Sequence, residues 1–109
     1  MNIEEATRLY QSMPDAVKAQ LVGRLCFDLT IEYRAISSEP TVAQLNLEKL
    51  QGINEIQHKV SAQMLAYQSR RPERYPGNDF FLLLVKIGKN YGVAGRIQQS
   101  LMEGLQKAS

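Results

Sequence analysis

One run of 26 residues, Val42 to Tyr67 (VAQLNLEKLQGINEIQHKVSAQMLAY), constrains this chain more than any other stretch. At about 100° per residue, Val42, Leu45, Ile53, Ile56, Val60, Met64 and Tyr67 fall within roughly a third of a turn, with Leu50 on the shoulder of that stripe. The run lacks the alternation that a half-buried strand requires, so it is expected to be an amphipathic helix. At 1.5 Å rise per residue such a helix is about 39 Å long, the span of a small domain. Every other helical segment is shorter or less regular. The expected fold is therefore all-α: a compact bundle of four to five helices around a long central helix over residues 42–68.

The remaining segments fit around that spine. Residues 3–11 form a short first helix with Glu4 and Glu5 in its first turn, where acids suit the helix dipole. Ser12-Met13-Pro14-Asp15 predicts a helix start with Ser12 as its N-cap and Pro14 in the first turn. That second helix runs to about Ile36 on a stripe of Val17, Leu21, Leu25, Leu29 and Ile36. Ser37 to Thr41 is a break, with Thr41 or Ser38 available to cap the spine. Residues 69–79, SRRPERYPGND, form an irregular loop, and Asn78 is expected to cap the helix FFLLLVKIG, which is apolar almost all round. Val93, Ile97, Leu101 and Leu105 give the last helix its stripe. The expected core is Val17, Leu21, Leu25, Ile53, Ile56, Val60, Leu83, Ile97 and Leu101.

Composition narrows the class. At 109 residues the chain, 1–109, has room for one domain with one core. A net charge of +2 is too small to mark a nucleic-acid binder. Residues 1–54 hold five Lys/Arg against seven Asp/Glu (−2), and residues 55–109 hold eight against four (+4), a mild polarity along the chain. The single cysteine, Cys26, allows no internal disulfide and suits a reducing compartment. The N-terminus lacks a signal-peptide pattern, and the longest apolar run, Phe80 to Val85, is far too short for a membrane span. The expected location is cytoplasmic, without membrane contact.

Four groups of residues could carry function. On the spine, a second and weaker strip opposite the main stripe holds Leu47, Asn54, His58 and Leu65. Two leucines on a solvent-facing side imply a cover, either another helix of the chain or a partner such as a second copy paired by two-fold symmetry. Glu55-x-x-His58 matches half of a helical metal motif, but a di-metal site needs two such pairs and the chain has one histidine. Asp28 and Glu32, one turn apart inside an apolar stripe, call for an ion-pair network with basic residues drawn from Arg70, Arg71, Lys86, Lys89 and Arg96. Arg70, Arg71, Arg74 and Tyr75 could grip phosphate or stack on a base, although no nucleic-acid signature accompanies them.

The runs Ile53-Asn54-Glu55-Ile56-Gln57-His58-Lys59-Val60 and Arg74-Tyr75-Pro76 resemble small bacterial proteins of uncharacterised helical families. The resemblance implies a bacterial cytoplasmic origin and assigns no residue a role. The expected function is non-catalytic: an adaptor, regulator or inhibitor, of bacterial or phage type, that binds a protein partner, with Leu47, Asn54, His58, Leu65, Arg70, Arg71, Arg74 and Tyr75 as candidate contacts and a homodimer as one form of it. It needs no cofactor or metal. The alternative is a nucleic-acid-associated protein using the Arg70–Tyr75 loop, which the charge disfavours. A third is a metal or small-molecule site on Asp28, Glu32, Glu55 and His58.

Overall fold

The long periodic run folds as two helices rather than one. The computed structural model describes residues 1–108, and its elements are α1 (Ile3–Ser12), α2 (Asp15–Ser37), α3 (Pro40–Leu45), α4 (Leu47–Gln68), a 3-10 turn (Pro72–Arg74), α5 (Phe80–Lys89) and α6 (Ala94–Ala108). The joint between α3 and α4 is Asn46, at φ −124° and ψ 30°. Its side-chain amide donates to the Val42 carbonyl at 2.8 Å, its backbone N–H donates to Ala43, and its carbonyl accepts from Leu50. Asparagine can serve local backbone groups with its own side chain, so it closes one helix and opens the next. Val42 and Leu45 thereby leave the buried stripe, and Leu45 is 80% exposed. The central helix begins at Leu47, five residues later than the periodicity suggests.

The caps also differ from expectation. Neither Thr41 nor Ser38 caps α3; the Glu39 carboxylate accepts from the Thr41 and Val42 amides, and Pro40 takes the first turn. The Ser12 hydroxyl donates back to the Leu9 carbonyl, serving the end of α1. α2 starts from Pro14 with no side-chain cap, and α5 starts from Asp79, not Asn78.

The core lies where three helices share a dry centre. α2 contributes Val22, Leu25 and Leu29, α4 contributes Ile53, Ile56 and Val60, and α6 contributes Ile97, Leu101 and Leu105; all are buried. α5 inserts Phe81 and Leu84 between α4 and α6, and α1 lies over α5 and α6. One expected core residue does not belong to it: Leu83 is 44% exposed on the outer side of α5, while Val17 is partly buried and packs against the edge of the core. A ten-residue helix at the edge of a bundle cannot be enclosed on every side, whatever its sequence. Among the described residues no helix is long and apolar enough to cross a membrane.

Two close contacts fix how the ends meet. A Cβ on Gly52 would fall 2.3 Å from the Tyr91 Cβ, so only glycine lets the α5–α6 turn lie against α4. Tyr91 then donates its hydroxyl to Glu55 Oε2 at 2.7 Å, which holds the phenol protonated to higher pH. Gly92, at φ 76°, turns the chain so that Val93 N–H reaches back to the Gly88 carbonyl. At the opposite end, the Tyr10 and Tyr67 hydroxyls meet at 3.2 Å, and Tyr10 packs edge-on against Phe81.

Burial raises both phenols above the ordinary tyrosine range, and their mutual hydrogen bond raises Tyr10 further. Raised folded-state values mean that this contribution is complete below the unfolded value near 10 and is lost as pH climbs above it. The urea midpoint should therefore stay level from about pH 7 to 9.5 and fall above about pH 10. Tyr10→Phe/Tyr67→Phe should flatten that fall, and an unchanged slope would remove the phenol pair as its cause.

Candidate functional site

With the inward face of α4 committed to the core, its outward face is set by helix geometry. The positions within about 40° of the outward line are Leu47, Gln51, Asn54, His58, Ser61 and Leu65. All six are exposed, and none is Asp, Glu, Lys or Arg. Leu47 is 56% and Leu65 61% exposed, so no other helix of the chain covers them. The charges of α4 lie off this line: Lys49 reaches Glu32 at 3.1 Å, and Glu55 accepts from Tyr91. A helix stripe that simply faces water usually carries charge, whereas the centre of a protein interface is depleted of it.

The adjacent helix α2 carries a further exposed apolar residue. Gln57 donates to the Cys26 carbonyl and to the Thr30 hydroxyl, both at 2.9 Å, and Gly23 faces Met64. These contacts set Phe27 level with the middle of α4, where it is 65% exposed. Phe27 was not among the residues expected at a site. The signal for it lay in the helical wheel, where Phe27 stands about 150° from the middle of the α2 stripe.

The C-terminal end of α4 carries the arginines. Arg70 is the one non-glycine residue at positive φ among those described, at 52°. Its N–H donates to Tyr67 and that of Arg71 to Ala66, closing the helix in the manner usually reserved for glycine. A groove of about 240 Å3 follows, lined by Ala62, Leu65, Ala66, Ser69, Arg71 and Arg74. Arg70, Arg71 and Arg74 are exposed, and none forms an ion pair among the described residues. Tyr75 does not join them. Its ring stacks on Tyr67 at 4.3 Å, half-buried, which withdraws it from any base.

Asp28 and Glu32 part company although they are one turn apart. Asp28 is buried on the α6 side between Arg24 (3.7 Å) and Arg96 (3.5 Å). Arg24 also holds Glu103 at 2.8 Å, and this pairing, with Gln99, keeps the Glu103 carboxyl below the usual range. Gly104 leaves the room in which the Arg24 stem and Leu21 pass. Glu32 instead meets Lys49 on the α4 side. Of the five donors expected, only Arg96 takes part; Arg24 and Lys49 supply the rest. Asp28, Glu32, Glu55 and His58 thus face four different ways. Among the described residues no three His, Cys, Asp or Glu side chains converge as metal ligands would.

The chain matches no protein-family model, no curated protein and no solved structure with which it was compared. Its surface must therefore speak for its function. The left-handed backbone at Arg70 gives one direct test. An L-residue there costs about 1–2 kcal/mol, and glycine gives back part of that in unfolded-chain entropy. Arg70→Gly should stabilise the protein by about 0.5–1 kcal/mol in urea denaturation. A loss of stability would mean that the Arg70 side chain makes a compensating contact.

Proposed function

We propose that this chain is a non-catalytic binding protein whose outer α4 face docks another protein. The observation that carries the reading is the uncharged stripe from Leu47 to Leu65, with two leucines in water and Phe27 exposed on the neighbouring helix α2. Magnitudes favour a modest, reversible association. Three large apolar side chains, each a little more than half exposed, contribute about 3–5 kcal/mol when fully covered. That only approaches the lower end of the roughly 4–15 kcal/mol that association costs in lost freedom. The polar residues of the stripe and the flanking charges must therefore add to it.

Affinity capture from the native host tests this. Proteins retained by the wild type should be lost with Leu47→Glu/Leu65→Glu, which replaces two exposed side chains and should leave helical circular dichroism intact. A control, Glu4→Ala/Lys107→Ala, should retain them. Identical capture by all three proteins would overturn the reading.

The arginine groove supports a second reading, binding of nucleic acid, because Arg71 and Arg74 line it, Arg70 precedes them in the chain, and none of the three forms an ion pair among the described residues. Only three phosphate contacts are on offer, and Glu73 sits among them. Binding to single- or double-stranded DNA should be weaker than about 10 μM at physiological salt. Sub-micromolar, salt-sensitive binding that vanishes in Arg70→Ala/Arg71→Ala/Arg74→Ala would put this reading first.

A further inference from the structure

We propose that the occupant of the α4 face is a second copy of this chain, docked antiparallel about a two-fold axis at the level of Ile56. The proposal rests on the reading of that face as a protein-binding surface and names its partner. The outward residues are spaced alternately four and three apart, the repeat by which two helices keep one seam in contact. Their order is symmetrical about residue 56. Leu47 and Leu65 stand nine positions from it, Gln51 and Ser61 five, Asn54 and His58 two.

Antiparallel docking therefore sets Leu47 against Leu65 of the other copy at both ends of the seam. In the middle it sets the Asn54 amide against an imidazole, and the Gln51 amide against the Ser61 hydroxyl. Each is a donor–acceptor match, and polar pairs of this kind fix register. An isologous interface requires this kind of self-complementarity, in which each residue meets a different one and is met by it in return.

Charge points the same way. Residues 38–48, at one end of the seam, contain two Glu and no Lys or Arg, and both Glu39 and Glu48 are exposed. Residues 69–74, at the other end, contain three Arg and one Glu. Antiparallel docking brings a −2 end onto a +2 end twice. Parallel docking would set six arginines together and four carboxylates together, which opposes it. Phe27, on α2 at the level of the middle of α4, is a further exposed apolar side chain.

Sedimentation of the full chain tests the proposal. The wild type should reach a monomer–dimer midpoint in the micromolar range, weakening as salt rises, within a loading series of about 5–200 μM. Leu47→Glu/Leu65→Glu should sediment as a folded monomer throughout. Direction is read by disulfide trapping in a Cys26→Ser background. A mixture of Leu47→Cys and Leu65→Cys proteins should give a covalent pair containing one of each, and neither alone should. Covalent pairs of Leu47→Cys with itself would overturn the antiparallel arrangement. So would a wild type that remains monomeric to the top of the series, or a dimer that survives Leu47→Glu/Leu65→Glu. A monomeric wild type whose host partner is still lost in the double glutamate variant would remove the second copy and leave the binding surface standing.

Discussion

The dry contact between α2 and α4 is what the rest of the molecule depends on. Val22, Leu25 and Leu29 on one helix and Ile53, Ile56 and Val60 on the other are wholly removed from water. Burial of six such side chains gains about 1.5–3 kcal/mol each, before the entropy of ordering them is counted. That contact rotates α4 to one setting. Once its inward side is fixed, the side carrying Leu47 and Leu65 can only face out. The surface is a consequence of the core rather than an independent feature.

Much of this was legible in the residues themselves. The periodicity of Ile53, Ile56 and Val60 gave the buried face of α4, and the strip opposite it followed from the same geometry. The break at Asn46 was not legible, because Val42 and Leu45 before it share the phase of the stripe that follows it. A hydrophobic period reports which way side chains would point in a continuous helix; it does not report whether the backbone continues. Leu83 misled for a related reason. An all-apolar segment indicates burial only if the bundle has enough helices to surround it, and the six helices among the described residues leave α5 with one open side.

The charged groups show a different limit. That Asp28 and Glu32 needed partners could be argued from their place in an apolar stripe, but not which partners. Arg24 lies within one turn of Asp28, yet its second carboxylate, Glu103, is 79 residues away. Such a pairing depends on how α2 and α6 cross, and on Gly104 leaving room for the Arg24 stem. Tyr75 is similar. Beside three arginines in sequence it suggests a stacking platform, and only the position of Tyr67 reveals that its ring is already used.

The joint at Asn46 separates parts of the molecule that live on different clocks. α3 is six residues long, and none of its side chains is buried. A helix so short gains little beyond its own few hydrogen bonds, so its opening free energy lies near the bottom of the range found within a folded protein, while that of α2 and α4 approaches the global value. Its amide protons therefore exchange with solvent through brief local fraying, long before those of Ile53 or Ile56, whose exchange waits for the bundle to come apart.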